Sequence, residues 1–266
     1  MGAYHTVKIV SLSPAFEPIF WNFVKEDIPH YFFFAFDWKY NKEATEILLA
    51  LDGRKIEGMM LIYRENIVHL RGRNEAVKSL LERLDLEEVE LQAEMHHREY
   101  VLERYTPIMT CKMNLMILNK EEGKLQPRHS IMRLEASDAE EIAALMRCAY
   151  PERWGAVTCE QIVEGIHRGV NWFGIRVDGK LVSIGSINIT EWVGLIGRVA
   201  THEAYRNRGY ATSIVSELAN QIFKEAPIAI IYVLSDNKPA IRAYEKAGFK
   251  RYQAYFFMRG QRITKA

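Results

Sequence analysis

Cysteine is the first scarcity. Cys111, Cys148 and Cys159 are the three in 266 residues, an odd number with no CxxC pair, which argues against a disulfide framework and against a thiolate zinc site. Long apolar runs are also lacking. Ile228 to Leu234 and Tyr31 to Phe36 are the longest, far short of the ~18 to 20 residues of a membrane span. Met1 to His5 leads straight into a strand-like run without a leader pattern, so the expectation is a cytoplasmic chain with no membrane partner. A net charge of +1 gives no reason to expect nucleic acid. HExxH, GxSxG and a full Walker pattern are missing. His96-His97 has no further His or Cys at ligand spacing, and no metal is expected.

What is present is the composition of a globular protein, 48% hydrophobic, long enough for two domains of about 130 residues. The halves differ in charge. Residues 1–126 hold 16 Lys/Arg against 20 Asp/Glu, and residues 127–266 hold 19 against 14. Between them Glu121 to Pro127 is polar and broken by Gly and Pro, a candidate linker.

Residues 1–126 read as a strand at Thr6 to Leu12, a helix after Ser13-Pro14, and an aromatic cluster from Tyr31 to Tyr40 that reads as a buried strand and its neighbours. A meander follows: Ile47 to Leu51, Ile56 to Tyr63 and Ile67 to Leu70. Asn74 caps a helix carrying Val77, Leu80, Leu81 and Leu84 on one face; then come a strand at Glu88 to Ala93, a helix near Arg98 to Tyr105, and a strand at Lys112 to Leu118.

Residues 127–266 repeat this order. A strand at Ser130 to Leu134 precedes a helix capped by Ser137, and Thr158 with Gln161 forms a capping-box signal for the next. Strands at Trp172 to Val177, Leu181 to Ile189 and Gly194 to Thr201 lead to a helix after Gly209, and Ile228 to Leu234 is apolar on both faces, as a central strand is. Asn237 to Ala247 is a helix stopped by Gly248, and Tyr252 to Met258 a last strand. Asp52-Gly53-Arg54-Lys55-Ile56 matches Val177-Asp178-Gly179-Lys180-Leu181, so the chain reads as a degenerate duplication.

The chemistry lies in the second copy. Val199-Ala200-Thr201 ends a strand, and Arg206-Asn207-Arg208-Gly209-Tyr210-Ala211-Thr212 forms a basic turn that opens a helix. Unpaired N–H groups at the positive end of a helix dipole are a site for phosphate oxygens. In the first copy the matching stretch is Gly72-Arg73-Asn74-Glu75-Ala76, where Glu75 repels phosphate, so one cofactor site per chain is expected.

The pattern Arg/Gln-x-x-Gly-x-Gly/Ala at Arg206 to Ala211, together with Asn237-Lys238-Pro239-Ala240-Ile241-Arg242-Ala243-Tyr244-Glu245-Lys246-Ala247-Gly248-Phe249, resembles the GCN5-related N-acetyltransferase (GNAT) family over roughly residues 128–260. The resemblance implies an α/β fold of tandem GNAT-like domains, 1–126 degenerate and 127–266 catalytic, each a mixed, mostly antiparallel sheet flanked by helices. It implies acetyl-CoA as acyl donor: pyrophosphate on the backbone from Arg206 through Asn207, Arg208, Gly209 and Tyr210 to Ala211 and Thr212, pantetheine along Val199, Ala200 and Thr201, and Asn237 as a coenzyme or cap contact. Tyr244 takes the role of general acid toward the thiolate, for which a phenol with pKa near ~10 is suitably protonated. The implied activity is acyl transfer to an unidentified amine of a small molecule or peptide; the rival is a non-catalytic coenzyme-binding or scaffold protein. A homodimer is compatible with either.

One departure stands out. Many relatives place a carboxylate on the strand corresponding to Gly194 to Val199, and here that strand has none. Glu191, His202, Glu203 and Asp236 are the nearby candidates for a general base.

Overall fold

The computed structural model describes residues 7–123 and 126–263. The chain divides into two compact units, one of Met1–Asn114 with Gln253–Ala266, the other of Leu115–Tyr252.

In the first unit, β1 (Lys8–Ser11), α1 (Glu17–Glu26) and α2 (Phe32–Tyr40) precede the hairpins of β2 (Thr45–Asp52), β3 (Lys55–Tyr63) and β4 (Ile67–Gly72); α3 (Asn74–Arg83), β5 (Glu88–Glu94), α4 (Arg98–Leu102) and the start of β6 (Tyr105–Asn119) follow. Strands β1 to β4 are successively antiparallel and β4 runs parallel to β5 across α3. Gly53 takes φ 60° in the β2–β3 turn, where glycine bears the left-handed conformation at no steric cost. Val77, Leu80 and Leu81 of α3 pack on Val68, Leu70, Val89 and Leu91.

The second unit takes the rest of β6, then β7 (Met132–Leu134), α5 (Ala139–Ala149), α6 (Pro151–Trp154), α7 (Cys159–His167), β8 (Asn171–Val177), β9 (Lys180–Ile189), β10 (Gly194–Thr201), α8 (Tyr210–Ile222), β11 (Ile228–Leu234), α9 (Lys238–Lys246) and the start of β12 (Lys250–Arg262). Its strand order is β6-β11-β10-β9-β8-β7, with β10 and β11 parallel and the β7 to β10 pairs antiparallel. One face of the sheet packs on α8 and α9 through Ile214, Leu218, Ile222 and Ile241. The other packs on α5 and α7 through Ile142, Leu145, Met146 and Ile162. The structure is thus mixed α/β, with mostly antiparallel sheet flanked by helices in both units.

Several expectations change. The Tyr31 to Tyr40 cluster is helical, not a strand: Phe32, Phe34, Ala35 and Trp38 are buried on a helix that is apolar nearly all round, so no alternation marked its period. Asn74 is the first helical residue and caps nothing; Arg73 holds the N-cap position without a side-chain bond. The Thr158–Gln161 capping box forms in both directions, and Gly248 takes φ 95° just after α9. The compact units do not follow a boundary at 126/127. Met116 and Leu118 of β6 are buried in the second unit's core, while Phe256 and Met258 of β12 are buried in the first unit's, where Tyr255–Gln261 pairs with Glu88–Glu94. Polarity and Pro/Gly content mark an exposed connection, not the strand at which a compact unit ends. Within that connection Lys124 and Leu125 lie outside the described residues, as does Thr6 of the expected first strand.

Candidate coenzyme cleft

Two parallel strands that part leave backbone groups without partners. β10 pairs with β11 only at Gly194, Ile196 and the residue between them, and past Ile196 a bulge turns β10 away. His202 N–H donates to Val182 O at 2.9 Å and Arg198 N–H to Ser186 Oγ at 3.0 Å. The even-numbered residues therefore face β9, and by alternation Val199 and Thr201 direct their backbone groups into the gap. Ala200, expected as a third contact, also borders the cleft, but its N–H is directed toward β9 and Ser183 Oγ donates to its carbonyl at 3.2 Å.

The gap opens into a cleft of about 770 Å³. Val199, Thr201, the Arg206–Thr212 turn, Asn237 and Tyr244 border it, Arg208 excepted. At the turn, Asn207 has φ 62° and Gly209 φ 82°, a conformation that frees Gly209 to precede α8. A Cβ at Gly209 would meet nothing nearer than His129 Nε2 at 3.8 Å, so the space beside this backbone is open. Helix geometry leaves the N–H groups of Tyr210, Ala211 and Thr212 without intrahelical acceptors. Arg206 differs from expectation: its N–H donates to Glu203 O at 3.1 Å, and its guanidinium donates to Thr201 O at 3.4 Å and Ala149 O at 3.1 Å. Arg206 braces the turn, and the free row begins at Asn207. Arg208 lies exposed with its guanidinium 5.4 Å from the Tyr205 ring centroid.

Tyr244 is only 6% exposed yet borders the cleft. Burial pushes its phenol well above the ordinary range, so the hydroxyl stays protonated and its transferable proton is retained at neutral pH. Asn237 Oδ1 accepts from Ala240 N at 3.2 Å, which makes it the N-cap of α9 as well as a cleft residue.

Among the general-base candidates only Asp236 borders the cleft. Glu191 precedes β10, whose other end at Thr201 is roughly 23 Å along the strand. His202 Nδ1 accepts from Ala204 N at 3.2 Å, which places the proton of a neutral ring on Nε2 and leaves no free lone pair. Glu203 opens the one-turn helix Glu203–Tyr205. Tyr150 and Trp154 also border the cleft, and His129 braces the turn by a 3.0 Å contact to Arg208 O and a ring 4.3 Å from Tyr210. These three were not singled out from sequence, since nothing local connects residues so far apart in the chain.

The matching place in the first unit is built differently. β4 and β5 part after Leu70 and Ala93, but Glu94 Oε2 accepts the Gly72 N–H at 3.1 Å. A carboxylate occupies the position where a coenzyme anion would need a donor. Close by, Glu94, His96 and His97 bring three ligand atoms within 4.8 Å of one another, a grouping not expected from the His96-His97 pair alone. No helix among the described residues is long and apolar enough to cross a membrane.

A β-meander, a parallel strand pair that parts, and a helix N-terminus at the parting define an α/β unit with an open cleft at its switch point. Residues 139–249 match the acetyltransferase (GNAT) family model, and the chain therefore carries a GNAT acetyltransferase domain there. No curated protein matches the sequence. Among solved structures, a Drosophila protein is similar over 96% of this chain and 98% of its own, with a TM-score of 0.72 at 14% identity. A GNAT-family acetyltransferase from Colwellia psychrerythraea is similar over 96% and 100%, with a TM-score of 0.60 at 12% identity. A tandem GNAT protein from the clavulanic acid biosynthesis pathway is similar over 98% and 99%, with a TM-score of 0.55 at 13% identity. At such identities the likeness is one of fold.

Proposed function

We propose that the chain is an N-acyltransferase that moves an acetyl or other short acyl group from coenzyme A to an amine, by direct attack in a ternary complex. The observation that carries this reading is the parting of β10 from β11 beside the Gly209 turn. Pantetheine adds as a partial strand against Val199 and Thr201, with its pyrophosphate on the N–H groups of Asn207, Arg208, Gly209, Tyr210, Ala211 and Thr212. The Val199 N–H stabilises the oxyanion formed as the amine adds to the thioester carbonyl. Tyr244 then gives its proton to the departing thiolate, and the amine proton leaves by Asp236 or by water held on backbone carbonyls.

The sequence copies are taken as 1–126 and 127–266, and only the second copy holds coenzyme. The acidic first copy suits a basic acceptor, but two arginines next in sequence to cleft residues favour the opposite. Arg198 adjoins Val199, Arg153 adjoins Trp154, and neither makes an ion pair among the described residues. Burial first, and the neighbouring Arg153 second, disfavour the charge of Arg198, so an acceptor bearing an anionic group would offset both. Thiol release from acetyl-CoA across amino acids, polyamines and peptide N-termini tests the reading, with turnover expected for amines that carry a carboxylate or phosphate. Binding of coenzyme A with no thiol release from any amine would instead establish the non-catalytic alternative.

A further inference from the structure

Buried polar atoms in native proteins almost always find a partner. His97 is fully buried, and neither of its ring nitrogens makes a hydrogen bond. We propose that His97, together with Glu94 and His96, binds a divalent transition-metal ion of the zinc class in the first unit. The chain places the three side chains together by a simple device. Glu94 ends β5, and the one-turn helix Met95–His97 that follows brings the His96 and His97 rings to 3.9 Å between centroids.

The donor set selects the ion. Two imidazoles and one carboxylate suit zinc, cobalt or nickel, whereas magnesium and calcium take oxygen ligands. His97 Nδ1 lies 3.9 Å from Glu94 Oε2; two ligands of one tetrahedral zinc sit roughly 3.3 Å apart, so a closure of about half an ångström completes that edge. His96 is exposed and has room to swing.

Arg71 is the opposing charge. Its guanidinium is held elsewhere, over the Tyr255 ring at 4.1 Å and on Gln92 Oε1 and the Leu70 carbonyl. Glu94 supplies one negative charge against it, and three protein ligands leave a fourth position for water on the exposed His96 side.

The experiment uses the untagged, metal-stripped full chain, titrated with Co(II) and followed by visible absorption, then displaced with Zn(II). One equivalent of cobalt with tetrahedral d–d bands, lost on adding zinc, is expected. Losing one ligand should cost no less than losing an outer partner, at least about 10-fold in affinity, in both His96→Ala and Glu94→Gln. His96→Ala removes an exposed side chain and keeps the fold, as unchanged circular dichroism would verify. Absence of the bands, or bands that persist at unchanged affinity in His96→Ala, overturns the proposal. Neither outcome bears on coenzyme binding in the second unit, which calorimetry reads separately.

Discussion

Thr212→Glu separates the fold of the coenzyme turn from its ligand chemistry. Thr212 is the third residue of α8, half-buried, and borders the cleft. A glutamate in the first turn meets the positive end of the helix dipole and stabilises the helix by about 0.3–1 kcal/mol. In the proposed complex the same carboxylate faces the pyrophosphate. One charge pair about 4 Å apart repels by ~1 kcal/mol in water and by ~4 kcal/mol at an effective dielectric near 20. The cleft is open to solvent on one side, so roughly 2 kcal/mol applies, or ~30-fold weaker binding. Calorimetric titration with coenzyme A and a thermal melt read the two effects apart. The melting temperature should hold or rise while affinity falls, and the loss should shrink as salt is added. Unchanged affinity in a folded variant would remove pyrophosphate from this turn. Gly209→Glu makes the same electrostatic test less cleanly, because φ 82° there strains any side chain.

Tyr244→Phe should lower kcat by about 10²- to 10⁴-fold, the usual contribution of a positioned acid, and leave coenzyme affinity unchanged in the same titration; equal loss of both would make Tyr244 a packing residue. Because burial raises its phenol, any alkaline fall in kcat below pH ~10 has another origin. His30 and His69 are held down to about 3 by burial and Arg71, so the unfolded chain binds two more protons than the folded one from about pH 6 down to pH 4. Their stabilisation is full above ~6.5 and is lost on acidification. Asp37, raised to about 6 by burial, works the other way and binds its proton in the folded state first. His97, also lowered to about 4 by burial, adds a third histidine proton in metal-free protein, so near pH 5 these four groups give a net slope of about two protons, ~2.7 kcal/mol per pH unit, and Asp37→Asn should raise it by about half in urea midpoints taken on metal-free protein; an unaltered slope would contradict the assignment. Gly194→Ala puts a Cβ within 2.4, 2.5 and 2.8 Å of three Ile222 side-chain atoms, two of them bonded directly to Cβ, so rotation brings no relief. A cost of about 1–3 kcal/mol is expected, and combining it with Ile222→Ala should be less than additive.

The second unit was legible because its signals are local. Asn237 caps α9 and Gly248 follows it, and Gly209 opens α8 where the six-residue pattern put it. The hairpin at Asp178-Gly179 takes left-handed φ at both residues, 49° and 80°, as Asp-Gly turns do. What sequence could not supply was set by alternation and by distance along the chain. Whether Val199 or Ala200 faces the gap depends on a bulge between Ile196 and Val199, and one extra residue flips every later side of the strand. The use of Arg206 as a brace depends on the Ala149 carbonyl, 57 residues away.

The two copies differ most where they are topologically the same. Both end a strand, part from a parallel neighbour, and start a helix at the parting. In the second, Gly209 leaves open space and free donors; in the first, Gly72 is crowded, since a Cβ there would lie 2.4 Å from Gly58 Cα, and its N–H is taken by Glu94. The carboxylate that closes the first gap to a coenzyme is also the one set beside His96 and His97. A single acidic side chain at the end of β5 thus repels one ligand class and attracts the other, so Glu94→Gln should weaken cobalt binding without creating a second coenzyme site, because the amide still reaches the Gly72 N–H. Calorimetry with coenzyme A showing two sites per chain in that variant would refute this account of why the first copy is silent.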